Sequence, residues 1–284
     1  MKDSLGDRIK TQYEDRTRFL LPRRTYTMIR VDGKAFHSFT KNFPRPFDKN
    51  LMNVMDNTAI AMCEEIQGAV CAYVQSDEIS ILLTDFAKPT TSAWFDGNVQ
   101  KMASVAASTA TAHFNRLLAY NSPHGTPLSV AMFDARVFTI PDSIEVENYF
   151  IWRQNDASRN SVQMAARAVF SHKECTDKTC PQLQDMLMEK GVNWNNYTSG
   201  EKRGRMIVKV KVDIANEYKG HQEGQAPAPD TITRSKWVSL HGDANKPVAY
   251  LETHQETPIF TQDRSFLRKL IPQIKEANFG LATV

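Results

Sequence analysis

Three carboxylates stand at the ends of apolar runs in this chain. Asp32 closes the stretch Thr25-Tyr26-Thr27-Met28-Ile29-Arg30-Val31, and Asp77 and Glu78 sit in Gln75-Ser76-Asp77-Glu78 between two further apolar runs. Acids gathered at strand ends, followed by a glycine, Gly33, that lets backbone come close to a ligand, are what a pair of divalent cations requires. Such a pair supports phosphoryl transfer by neutralising both the attacking and the leaving oxygen. On its own, a Ser-Asp-Glu tip is also what an ordinary hairpin carries. Asp32 weighs against that simpler reading. It ends an alternating, β-branched run through Ile29 and Val31, and an acid there is costly if buried unpaired, so it must meet an edge, a cation or a metal.

The elements that would position these acids follow from periodicity. Between the two acidic segments, Leu51, Val54, Met55, Thr58, Ala59 and Met62 recur at helical spacing, which predicts a helix over 48–66 with Asp48 as its cap. Strand, helix and hairpin make half of a ferredoxin-like split βαβ unit. The expected fold class is therefore α+β: a ferredoxin-like palm with an antiparallel sheet and helices on one face. In it, neighbouring central strands bring Asp32 and Asp77 to the same ions, although fold alone does not license function. An opening helix is expected over 5–20 and a second long helix over 98–120, on which His113 reads as a packed histidine. A strand follows over 129–140. The helical stretch 143–170 carries a dense polar run from Trp152 to Asn160, a site candidate in which Arg153, Asp156 and Asn160 are supporting residues. After a short helix from Cys180 and a polar turn come Lys202-Arg203-Gly204 and a strand over 206–212. The Gly- and Pro-bearing stretch Lys219 to Pro229 reads as a linker. Two units are expected: a catalytic domain over 1–212 and a C-terminal appendage over 213–284, with short strands at Ser235 to Val238 and Pro247 to Leu251 and a terminal helix.

With 284 residues, 41% hydrophobic and 24% charged, the chain can bury a full core and has no low-complexity character. A net charge of +3 leaves any contact with a polyanion to local patches such as Arg16, Arg18, Arg23 and Arg24. Four cysteines without zinc-like spacing read as reduced thiols of a cytoplasmic protein. The polar start and the lack of an apolar run of about 18 residues point away from a leader peptide and a membrane span.

Several ordered motifs together resemble the tRNA-His guanylyltransferase superfamily, and most of all its guanylyltransferase-like branch, which extends RNA 5′ ends in the 3′-to-5′ direction. They are Arg30-Val31-Asp32-Gly33-Lys34-Ala35-Phe36-His37, Gln75-Ser76-Asp77-Glu78, Gln100-Lys101, Phe133-Asp134-Ala135-Arg136, Trp152-Arg153-Gln154 through Asn160, and Lys202-Arg203-Gly204. The resemblance implies that Asp32, Asp77 and the Gly33 carbonyl hold two Mg²⁺ ions, with Glu78 joining or supporting the catalytic set. It implies that Gly33, Lys34, Ala35, Phe36, His37, Ser76 and Asp77 lie along a nucleoside triphosphate that Lys202 and Arg203 grip. It also implies that Lys101 and Arg136 serve activation of a 5′-monophosphate end by ATP or GTP. The absent Cβ of Gly33 is read as room for close approach to the ligand. The implied partners are tRNA, ATP, GTP and the other nucleoside triphosphates, in a homotetramer without membrane contact.

One departure bears on the substrate. Where the eukaryotic enzymes carry His-Ile-Asn-Asn, this chain has Ser158-Arg159-Asn160-Ser161. The difference favours template-dependent repair of 5′-truncated tRNA over untemplated addition of guanosine to tRNA-His. A palm-fold cyclase or 5′-to-3′ polymerase would not require Lys101, Arg136 or the Trp152 to Asn160 run. A catalytically inactive tRNA-binding module gains nothing from three acids held near RNA phosphate.

Overall fold

The structure is a computed structural model that describes residues 3–121, 129–212 and 248–274. Six strands carry the frame: β1 (Tyr26–Gly33), β2 (Ala69–Gln75), β3 (Glu78–Thr84), β4 (Phe133–Ile140), β5 (Arg205–Val212) and β6 (Val248–His254). They form one sheet in the order β4-β1-β3-β2-β5-β6, with every neighbouring pair antiparallel. The helices are α1 (Ser4–Ile9), α2 (Phe36–Phe39), α3 (Lys49–Glu65), α4 (Val99–Asn121), α5 (Ser143–Val169), α6 (His172–Cys175), α7 (Cys180–Glu189), α8 (Ser199–Arg203) and α9 (Arg264–Leu270). The first four strands with α3 and α4 make the βαββαβ unit expected of the α+β class.

Strand alternation divides the core in two. Ile29, Val31, Ile79, Ile81, Ala72 and Val74 pack under α3 and α4 through Val54, Met55, Met102, Ala106 and Phe114. Tyr26, Met28, Tyr73, Leu82 and Met206 pack on the other side against Val146, Tyr149 and Phe150 of α5, joined by Leu267 of α9. The expectation of helices on one face therefore holds for α3 and α4 and needs one correction: α5 and α9 cover part of the second face. The cause is apolar character at both alternating sets of strand positions, which leaves neither face free to stay in water.

The α3 helix begins where Asp48 accepts the backbone N–H groups of Asn50 and Leu51 at 2.8 and 3.1 Å, and α5 begins in the same way at Asp142. The opening segment winds from α1 through a π turn and a 3-10 turn to Thr17 and buries no residue. Of the region expected as an appendage, residues 248–274 are described: β6 extends the sheet beside β5, and Leu267 and Ile271 join the second core. The expected linker at Lys219 to Pro229 and strand at Ser235 to Val238 lie outside the described residues. Among the described residues no helix is long and apolar enough to cross a membrane, and all four cysteines are free.

Candidate active site

The acids meet at one end of the sheet. Asp32, next to last in β1, is in register with Glu78 of β3 on one side and Asp134 of β4 on the other. Asp77 occupies the two-residue turn between β2 and β3. There Ser76 adopts a positive φ of 47°, and the Gly33 N–H donates to the Asp77 carbonyl at 3.1 Å, which ties the turn to the end of β1. Burial pushes the Asp77 carboxyl up to about 6. Hydrogen bonds from the Ser76 side chain and from its own backbone oppose that rise, and the charges of Asp32 and Glu78 reinforce it. Neither Asp32 nor Asp77 has an ion-pair partner among the described residues.

Glu78 is held differently. It is buried on the α5 face, where Arg153 donates through Nε to Oε1 at 2.8 Å and through Nη2 to Oε2 at 2.6 Å, and the Ser80 hydroxyl adds a bond at 3.1 Å. Arg153 also donates to Asp156 at 2.9 Å, and Asp156 in turn accepts from Arg159 and Asn160. Though burial works against its charge, the carboxylates of Glu78 and Asp156 raise the Arg153 pKa and keep it a cation. The polar run on α5 thus forms a chain of charge from the sheet to the surface, with both oxygens of Glu78 already engaged.

Beside Asp77 opens a cavity of about 390 Å³, within the usual range for small-molecule sites. Its lining includes Ser76 and Asp77 of the turn and Phe36 and His37. One wall is Phe43, Pro44, Pro46 and Phe47, and the other is Ala157, Asn160 and Met164 of α5. Packing also favours glycine at position 33: a Cβ there would stand 2.2 Å from the Phe36 ring, which follows the left-handed turn at Ala35 (φ 53°). Gly204 also lines the cavity, at φ 73°, where a Cβ would sit 2.5 Å from the Tyr73 hydroxyl.

Other expected residues lie around this centre. Lys34 and Ala35 are exposed on the turn into α2. Lys202 donates to the Asn195 carbonyl at 2.7 Å and lies 5.4 Å from the Trp194 ring centroid, and Arg203 donates to Ser199 at 2.9 Å, so both side chains are bonded outside the cavity lining. Arg136 is cross-strand from Arg30 and stands 4.0 Å from Asp134. Lys101 is not brought to the acids within one chain. It starts α4 beside the Leu20–Asn98 bridge, whereas Thr111, which receives the N–H of Phe133 at the acid end of the sheet, lies ten residues, or about 15 Å, further along the helix. Sequence reasoning missed the wall Phe43 to Phe47 and Met164 with Arg167. Phenylalanines at 36, 39, 43 and 47 with prolines at 44 and 46 were the available signal.

Acids left without a cation beside an open cavity, on a βαββαβ sheet, set the chain among the palm-type nucleotidyl-transfer enzymes. Comparison with known proteins narrows the class. Residues 7–141 match the family model described as tRNAHis guanylyltransferase (Thg1). A bacterial tRNA(His) guanylyltransferase (Thg1)-like protein solved in complex with ATP is 37% identical, superposes with a TM-score of 0.76, and is matched over 94% of this chain and 99% of its own. A bacterial Thg1-like structure in complex with GTP is 35% identical with a TM-score of 0.69, over the same shares of the two chains. The probable tRNA(His) guanylyltransferase of Drosophila melanogaster is 28% identical over 229 residues, 75% of this chain and 76% of the relative. The chain belongs to the tRNA-His guanylyltransferase family and is a nucleotidyltransferase.

Proposed function

We propose that this enzyme adds nucleotides in the 3′-to-5′ direction to the 5′ end of truncated tRNA, guided by the opposite strand as template. The observation that carries the reading is Asp77, which lines an open cavity of nucleotide size and has Asp32 near enough for its charge to be felt, both without an ion-pair partner among the described residues. The neighbours solved with ATP and with GTP support triphosphate occupancy of that cavity.

Asp32, Asp77 and the Gly33 carbonyl suit Mg²⁺. Among the described residues no three acidic, histidine or cysteine side chains converge on one point, and Mg²⁺ is commonly held by one or two carboxylates with substrate phosphates completing its shell. Two such ions would stabilise the attacking and leaving oxygens of an in-line displacement.

In this reading the RNA 5′-monophosphate attacks the α-phosphorus of ATP or GTP and pyrophosphate leaves. The 3′-hydroxyl of an incoming nucleoside triphosphate then attacks the 5′ phosphorus, the nucleoside monophosphate departs, and the RNA carries the new residue's triphosphate. An RNA that already bears a 5′-triphosphate enters at the second step and releases pyrophosphate. Phe36, His37 and the Phe43 to Phe47 wall enclose the nucleotide; Lys34 supplies positive charge near its phosphates, and Arg136 serves the 5′ end of the RNA. Glu78 acts as a positioning residue by fixing Arg153. Lys101, remote from the acids of its own chain, serves the site of a neighbouring copy in a homotetramer.

The test is extension of a 5′-truncated, 5′-triphosphorylated tRNA with Mg²⁺ and all four nucleoside triphosphates. Template-matched 5′ addition that disappears in Asp77→Ala is expected. Mixing Asp77→Ala with Lys101→Ala protein should restore a fraction of it on a monophosphorylated RNA. Addition of guanosine alone, regardless of template, would replace this reading with untemplated transfer; RNA binding without addition would leave a binding module.

A further inference from the structure

The α5 helix has a second flank, turned away from the cavity and toward β1 and β4, where Tyr149 meets Phe138 of β4 with ring centroids 5.7 Å apart. On that flank stands Trp152, 52% exposed, on a helix whose other large aromatics, Tyr149 and Phe150, are buried. It is braced rather than loose. The Arg153 guanidinium lies 4.4 Å from its ring centroid, that of Arg30 lies 5.8 Å away, and Tyr149 meets it edge-on at 5.8 Å.

The floor below it is cationic. Arg30 points to the same face as Asp32, two residues on, and faces Arg136 across to the edge strand β4. Its Nε is buried without a hydrogen-bond partner, and it has no ion-pair partner among the described residues. Asp134 in the same groove lies 4.0 Å from Arg136, and Asp156 is already engaged by Arg153, Arg159 and Asn160. An exposed indole held in place by guanidinium groups, beside an Arg30 without a partner and an Arg136 paired only with the exposed Asp134, is the combination that binds single-stranded nucleic acid: a π-face for a base and charge for its phosphate.

We propose that Trp152 is the stacking platform for the 5′-terminal nucleobase of the RNA, so that the RNA end enters by the groove between α5 and β4 while the nucleoside triphosphate occupies the cavity on the opposite flank of α5. The assignment rests on the function proposed above. It makes Trp152 a positioning residue: it holds the 5′ phosphate over Arg30 and beside Asp32 and takes no part in bond making.

The probe is a 5′-triphosphorylated RNA with 2-aminopurine at its first nucleotide, titrated with enzyme without nucleotides and then used in the extension assay. Wild type should quench the fluorescence. Trp152→Ala should lose that quenching, bind the RNA roughly tenfold to a hundredfold more weakly, the range expected from loss of one base–aromatic stack, and raise the KM for RNA with kcat and the nucleotide KM within about twofold. Trp152→Phe should restore most of both readouts, which a merely structural loss would not permit. Quenching and RNA KM unchanged in Trp152→Ala would overturn the platform while leaving the reverse polymerase intact. Trp152-dependent quenching by a wild type that extends no RNA would uphold the platform and refute the proposed reaction.

Discussion

Glu78 and Asp56 each lie against an arginine, Arg153 at 2.6 and 2.8 Å and Arg205 at 2.7 and 2.9 Å, whereas Asp32 and Asp77 at the same end of the sheet have no protein cation among the described residues. All four are acids, and their surroundings assign them different tasks. The paired ones are locks: Glu78 to Arg153 fastens β3 to α5, and Asp56 to Arg205 fastens α3 to β5. Both oxygens of each carboxylate accept from its arginine, so neither presents a free oxygen to a ligand, although burial still raises the Asp56 pKa against the pull of Arg205. Of the unpaired ones, Asp77 is the more buried, and its charge costs stability in the bare chain, a cost that a bound cation would offset.

The largest expected effect separates the two sets outright. Asp77→Asn should reduce nucleotide transfer by roughly three orders of magnitude or more, because it removes a carboxylate from the set that would hold the metals. In EDTA the same substitution should stabilise the fold by about 1–3 kcal/mol, since it deletes a carboxylate whose pKa stands near 6. Denaturant unfolding of the two proteins in EDTA decides it. An Asn variant less stable than the parent would place Asp77 with the locks.

The converse change tests a lock. Arg153→Met leaves Glu78 buried without its partner and should cost about 3–5 kcal/mol. Adding Glu78→Gln to it should recover most of that loss, because the neutral side chain carries no charge into the interior. Urea titrations of the single and double variants give the coupling. Strict additivity would mean that Arg153 owes its position to Asp156 and Trp152 rather than to Glu78.

The same contrast explains what could be read from the sequence. The long helices α3, α4 and α5 fell within a residue or two of their expected limits because their apolar spacing is local and sustained, and the Gln75 to Glu78 hairpin followed from two apolar runs meeting at a polar tip. Asp32 could be singled out because an acid ending an apolar strand is anomalous without any knowledge of its partner. That Glu78 would be locked could not be seen: Arg153 is 75 residues away, and no periodicity says which of two adjacent acids turns toward α5. The joining of β6 to β5 is a non-local pairing of the same kind. The short helix α8 hid in an expected polar turn, although its Thr198 and Glu201 capping box was present in the sequence.

The smallest effect, and the most discriminating for Asp77, is in pH. Its folded pKa of about 6 lies above the 3.8 of an ordinary aspartate, so between those limits the native chain binds a proton that the unfolded chain does not. In EDTA, Asp77 therefore destabilises the fold above about pH 6, and its contribution improves as pH falls through 6 until the unfolded chain is protonated as well. Other acids titrate in the same window, so the informative quantity is the stability difference between wild type and Asp77→Asn, which should shrink from pH 7.5 to pH 5. Saturating Mg²⁺ should act in the opposite sense, because a bound cation favours the ionised carboxylate and stabilises the wild type most where Asp77 is deprotonated. A difference that is flat with pH in EDTA would mean that Asp77 is already satisfied within the protein, and the distinction between locked and waiting acids would no longer apply to it.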